Sequence, residues 1–183
     1  GSGQGLASSC KPCAPGKYST KGELQTSEDV CASCVEGRYS ASGEAQITVD
    51  VCVACESGKY SSEGQDQSSE DVCKPCSPGK YSTGGEAQIS EDVCMSCGDG
   101  RYSGSGEAQI SESVCVACES GKYSSEGQGQ SSEDVCKPCR VGTYAYILQA
   151  VADEDICFEC PAGQYMDEEG TYNNVVEFPC KKC

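Results

Sequence analysis

Eighteen cysteines carry the one dense concentration of chemistry in this 183-residue chain, and their spacing is periodic. A Cys-x-x-Cys pair begins at Cys10, Cys31, Cys52, Cys73, Cys94, Cys115, Cys136 and Cys157, each 21 residues after the last. A ninth pair, Cys180 and Cys183, follows after 23. Thiols so arranged fit three chemistries: redox pairs closed on themselves, tetrahedral zinc ligands, and structural bridges between successive pairs.

The three have different consequences. Self-closed pairs would make nine redox sites at fixed period, which has little functional sense. Zinc-ribbon spacing is met, but nine pairs do not divide into complete four-cysteine sites, and the chain has no His. The preferred reading links the second cysteine of one pair to the first of the next. It gives Cys13–Cys31, Cys34–Cys52, Cys55–Cys73, Cys76–Cys94, Cys97–Cys115, Cys118–Cys136, Cys139–Cys157 and Cys160–Cys180. Cys10 and Cys183 are then left for flanking repeats or for bonds between molecules. Spacing alone does not fix connectivity.

Other reactive groupings are sparse. There is no His and no Gly-x-Ser-x-Gly elbow, so an enzyme is not expected. Acidic pairs recur at Glu28-Asp29, Glu70-Asp71, Glu91-Asp92 and Glu133-Asp134. Without a dedicated ligand spacing they read as a solvated face balancing Lys17, Lys59, Lys80 and Lys122. No cofactor is expected, with calcium alone left open. Asn173 and Asn174 precede Val, so no N-glycosylation sequon exists, while many Ser and Thr leave O-glycans open.

The elements that must hold the cysteines follow the same period. Gly recurs three residues after each second cysteine, from Gly16 to Gly163, and marks a turn or a close backbone approach. Tyr follows two later, at Tyr18, Tyr39, Tyr60, Tyr81, Tyr102, Tyr123, Tyr144 and Tyr165, within a strand-like Lys/Arg-Tyr-Ser segment. The Tyr is expected to be the buried anchor of its module. A second turn Gly and a returning Val-Cys strand complete a small irregular hairpin, since two glycines per unit break any helical stripe. Residues 52–72 and 115–135 are nearly identical, which points to duplication of a three-repeat block.

Composition sets the class. Cysteine at about a tenth of the residues, no Trp and two Phe describe a disulfide scaffold with a thin apolar core. Such cysteine usage implies an oxidising, extracellular or cell-surface location. No apolar run is long enough to span a bilayer; the longest, Tyr144 to Ala152, is short and contains Gln149. Net charge of −16 disfavours nucleic acid and anionic membranes as partners.

The motif C-x-x-C-x-P-G-K-Y-S, as in Cys10 to Ser19 and Cys73 to Ser82, resembles the ephrin-receptor-like cysteine-rich repeat. It is also similar to the first submodule of tumour-necrosis-factor-receptor cysteine-rich domains, and the resemblance runs from Cys10 to Cys183. It implies an extracellular location, elongated disulfide-rich β modules and a disulfide around the Gly-x-Tyr loop. The uniform period, with no second disulfide of different spacing, departs from those receptor modules.

Together these readings predict a small disulfide-rich, mainly β or irregular fold, an elongated solenoid-like tandem array of 21-residue repeats. Residues 1–9 read as a leader or linker, 10–156 as seven repeats, and 157–183 as a divergent C-terminal repeat with a capping or assembly segment. The cap or assembly surface comprises Tyr144, Tyr146, Ile147 and Leu148 of repeat seven with Tyr172, Val175, Val176 and Phe178 of repeat eight, since divergent terminal repeats cap arrays or dock the next subunit. The expected function is an extracellular structural element, a rod, stalk or filament, whose partners are itself or other extracellular proteins. The alternatives are a ligand- or adhesion-binding ectodomain and, third, a zinc-binding array.

Overall fold

A computed structural model of the chain describes residues 12–21, 27–145, 153–169 and 180–183. Cys10, Tyr146, Ile147, Leu148, Tyr172, Val175, Val176 and Phe178 lie outside the described residues. What is described is a tandem series of short two-stranded antiparallel sheets, each next to a disulfide.

Each hairpin has the same local logic. The Gly after the second cysteine takes positive φ, 84° at Gly16 and 82° at Gly79, a conformation that a Cβ disfavours. It turns the chain into the Lys/Arg-Tyr strand. That strand pairs with the residues just after the next first cysteine, so Tyr39 faces Val53 and Tyr81 faces Met95. The second cysteine of the returning pair closes the turn, with the Cys34 amide donating to the Gly16 carbonyl at 2.8 Å.

The segment before each first cysteine differs from the strand expected there. Glu70–Val72 is one turn of 3-10 helix, as are Glu28–Val30, Glu112–Val114 and Glu133–Val135. A capping side chain supports the turn in most repeats, while Val49–Val51 forms it with no side-chain bond from Thr48. Ser69 Oγ accepts from the Asp71 amide at 3.2 Å and donates to the Asp71 carboxylate at 2.9 Å. Such a side chain offers the backbone a local turn in competition with the sheet ladder. The returning strand therefore starts at or after the cysteine, as in Val53–Ala54.

The described chain divides into two compact units. One comprises Gly1–Cys76 with Thr83–Val93. Its hairpins pair Lys17–Ser19 with Cys31–Ser33, Arg38–Tyr39 with Val53–Ala54, and Lys59–Tyr60 with Lys74–Pro75. The other comprises Ser77–Ser82 with Cys94–Cys183. It runs from the hairpin of Lys80–Tyr81 with Met95–Ser96 to that of Gln164–Tyr165 with Lys181–Lys182.

The core of a repeat is sulfur and serine. Cys34, Cys55, Cys97, Cys118 and Cys139 are at most 1% exposed, and so are Ser40, Ser61, Ser82, Ser103 and Ser124. The repeated Tyr is less deeply placed than expected of an anchor. Tyr81 and Tyr144 are buried, Tyr39, Tyr60, Tyr102 and Tyr123 are half-buried, and Tyr165 is exposed. A two-stranded sheet has no second layer to cover a large ring, so only residues next to the bridge are fully enclosed.

Candidate functional site

The cysteines are the residues with chemistry to offer, and the structure uses them as cross-links. Cys13–Cys31, Cys34–Cys52, Cys55–Cys73, Cys97–Cys115, Cys118–Cys136, Cys139–Cys157 and Cys160–Cys180 are bonded, each joining the second cysteine of one pair to the first of the next. Cys76 and Cys94 are also disulfide-bonded. Cys183 is free and exposed. Bridges closing 18-residue intervals stabilise each loop by roughly 3 kcal/mol on the chain-entropy account. A bridged sulfur has no thiolate to give a zinc ion.

What sets one repeat against the next is backbone hydrogen bonding. In five repeats the amide after the Tyr donates to the carbonyl of a Gln in the following repeat: Ser19 to Gln46, Ser40 to Gln67, Ser61 to Gln88, Ser82 to Gln109 and Ser103 to Gln130, all at 2.8–2.9 Å. In the reverse direction, Ala45 donates to Cys13, Asp66 to Cys34, Ala87 to Cys55 and Gly129 to Cys97. These two bonds per junction clamp the polar tail of one repeat along the hairpin of the one before.

The residues at that clamp have identifiable jobs. Ser is small enough for the enclosed position, and Ala145, 0% exposed, fills the corresponding place in the seventh repeat. Gln closes its own loop, as Gln67 Nε2 donates to the Glu63 and Gln65 carbonyls at 3.0 Å and Gln130 Nε2 to Glu126 at 2.8 Å. The residue before Gln is left-handed, with φ of 62° at Ala45, 65° at Asp66, 58° at Ala87, 56° at Ala108 and 76° at Gly129. That bend brings its backbone against a Gly two repeats earlier. A Cβ built on Gly16 would overlap the Asp66 carbonyl, one on Gly37 that of Ala87, and one on Gly79 that of Gly129. The repeats of Gly16, Gly37 and Gly79 are thus keyed to the neighbour and to the repeat beyond.

The sequence drew attention to the Gly and the cysteines here but passed over Ser and Gln. The available signal was their strict recurrence at fixed distance from the cysteines, at Ser40, Ser61, Ser82 and Ser103 and at Gln67, Gln88, Gln109 and Gln130.

Apolar contacts follow the same direction. Tyr81 packs on Cys97, Cys115 and Val114, the bridge and valine of the next repeat. Tyr123 lies against the cluster of Cys139, Ala145, Ile156 and Cys157. Tyr144, the one described member of the predicted cap surface, is 5% exposed and packs with Met166, Cys180 and Cys160. Its ring is also 6.2 Å from that of Phe158, its cross-strand partner.

The charged residues form exposed pairs along the outside. Lys59 meets Glu70 and Glu56 at 3.3 Å, and Lys122 meets Glu119 at 3.2 Å and Glu133 at 3.5 Å. Hydrogen bonding to Glu70 and then Glu56 raises the Lys59 pKa above its usual value, and bonding to Glu119 does the same for Lys122. Lys137 at 2.8 Å holds the Glu126 carboxyl below the usual range, and Lys181 at 2.7 Å does so for Asp167. Lys17 reaches Asp66, two repeats on, at 3.4 Å. Of the recurrent acidic pairs, Glu70 and Glu133 serve these lysines while Asp29, Asp71, Asp92 and Asp134 accept from their capping serines. Among the described residues no group of three or more Cys, Asp or Glu is placed to hold a metal ion.

The density of disulfides fits an oxidising compartment. No helix among the described residues is long and apolar enough to cross a membrane. In comparison with known proteins, no family profile matches the chain and no curated protein matches it significantly.

Proposed function

We propose that this chain is a non-catalytic, extracellular structural element, an elongated array whose work is to hold its ends or its surface at a fixed distance. The observation that carries the reading is the repeated clamp between successive repeats. The Ser-to-Gln amide bond recurs from Ser19 to Ser103 at nearly constant length. Chemistry that is copied with each module suits lengthening, whereas an active site needs one arrangement at one place. Assembly of copies head to tail, through Cys183 or the C-terminal apolar segment, extends the same logic between molecules. The resemblance to ephrin-receptor-like repeats supports the extracellular setting.

A second reading has an observation of its own. Val53, Met95, Val116 and Phe158, the residues after the first cysteines, are 41–49% exposed opposite the tyrosines. Apolar side chains repeated on a hairpin face suit adhesion to another extracellular protein.

Electron microscopy of native material, with non-reducing gels beside it, separates the two. Rods or filaments, and gel ladders that collapse with reductant, are the expected result. Discrete monomers of compact outline would overturn the structural role and favour the receptor-type ectodomain.

A further inference from the structure

The disulfides and the Cys-x-x-Cys tetrapeptides lie end to end along the chain. From Cys34 the bridge leads to Cys52, the backbone leads from Cys52 to Cys55, and the next bridge leads to Cys73. The same alternation runs from Cys97 through Cys115, Cys118, Cys136, Cys139, Cys157 and Cys160 to Cys180. We propose that this alternating line is the path along which the protein carries tension, and that the 18-residue loops hang beside it, outside the load. The idea rests on the structural reading above and gives it a mechanism.

Geometry sets the length of the path. A bridge spans 5.4 Å between Cα atoms at Cys34–Cys52. Three further residues add at most about 3.6 Å each. A pulled repeat therefore stops at about 16 Å, whatever happens to its hydrogen bonds. With its bridge open, the same 21 residues reach roughly 70–75 Å. The bridge withholds roughly 55–60 Å per repeat.

Placement of the sulfurs makes the path durable. Cys34, Cys55, Cys97, Cys118 and Cys139 are enclosed at 0–1% exposure. Reduction requires a thiolate to reach one sulfur, form a mixed disulfide and expel the other cysteine as a thiolate. The folded loops hinder that approach where both partners are buried, as at Cys55–Cys73 and Cys97–Cys115, and less at Cys139–Cys157, where Cys157 is half-buried. Tension that peels the Ser-to-Gln clamps apart leaves the covalent line intact at its limit, and the loops reclose when the load falls. Strength then depends on sulfur bonds and recovery on backbone hydrogen bonds, two separate parts of the same repeat.

Single-molecule pulling of the full chain between handles at its two ends tests this. In oxidising buffer the extension should rise to its limit without any release step of 55–60 Å. Adding dithiothreitol under load should produce discrete steps of that size, each from one bridge. A Cys97→Ser, Cys115→Ser variant should gain one such length without reductant. Because final contour length does not depend on whether the loop still folds, this arm reads out even in a destabilised protein. Steps of 55–60 Å from the oxidised parent, or no added length in the double variant, would overturn the proposal. A chain that passes both arms yet forms no rods or filaments would refute the structural role while leaving the load path standing.

Discussion

The amide of Ser82 donates to the carbonyl of Gln109 in the following repeat at 2.8 Å, and Ser82 itself is completely enclosed. The two residues meet through backbone atoms, and at the same position in other repeats the serine hydroxyl also accepts from the amide two residues on, as Ser61 does from Glu63 and Ser103 from Ser105. Enclosed amides bonded in this way should exchange slowly with solvent. Hydrogen–deuterium exchange is expected to rank Ser40, Ser61, Ser82 and Ser103 among the best-protected amides, well above those of the exposed loop residues Ser42 and Ser62. Equal exchange across both groups would contradict the clamp.

The key between repeats two apart predicts an asymmetry at its two glycines. Gly79→Ala places a methyl in the Gly129 carbonyl and should cost at least about 2 kcal/mol. Gly129→Ala adds the left-handed penalty that Ala87 and Ala108 already bear, about 1 kcal/mol, and a 3.3 Å approach to the Ser96 Oγ, a side-chain atom that can shift where a carbonyl cannot. Ala87→Gly should gain roughly 0.5–1 kcal/mol by removing it. Urea unfolding without reductant measures all three, and equal losses at Gly79 and Gly129 would refute the keying.

Ser40 is fully enclosed and its hydroxyl has no hydrogen-bond partner. Ser40→Ala removes an unsatisfied polar group while leaving the amide bond to Gln67, so stability should match or exceed that of the parent. Ser40→Val should lose about 1–3 kcal/mol by overpacking. A large loss in the alanine variant would mean that the hydroxyl has a role the geometry does not give it.

The ion pairs predict a pH dependence at the acid end. Glu126 and Asp167 are held below the usual carboxylate range by hydrogen bonds from Lys137 and Lys181. A depressed folded value means their contribution is fully present above the unfolded carboxyl range near about pH 4 and is lost as pH falls through the folded values. Carboxyl NMR titration should find both midpoints low, and Lys137→Met should return Glu126 to the ordinary range with Asp167 unmoved. Because both pairs are solvent-exposed, their effect on the melting temperature should be small.

The period, the hairpin and the turn glycines were legible in the sequence because each depends on residue types that recur without exception: Cys34 and Cys55, Gly37 and Gly58, Tyr39 and Tyr60. The 3-10 turn at Glu70–Val72 was not. Val-Cys has strand character, and the competing turn rests on a local backbone bond from the Cys73 amide to the Glu70 carbonyl, which Ser69 supports but which forms at Val49–Val51 without a side-chain cap. The inner place of Ser and the outer place of Tyr were also hidden. Hydrophobicity ranks them the other way, and only a fold with a single thin layer reverses that order. The clamp itself is backbone chemistry, which side-chain patterns record only indirectly.

Limited trypsin digestion of the denatured, non-reduced protein, read by mass spectrometry, bears most directly on the claim that sulfur bridges join successive repeats. Trypsin cuts after Lys17, Arg38 and Lys59, inside loops closed by the bridges, and spares Lys74 and Lys137, which precede proline. The fragments 1–17, 22–38, 39–59 and 60–80 should stay joined to one another, and so should 81–101, 102–122, 123–140 and 141–181, coming apart only on reduction. Separate small peptides before any reductant is added, each with its Cys-x-x-Cys pair closed on itself or bearing free thiols, would contradict the account.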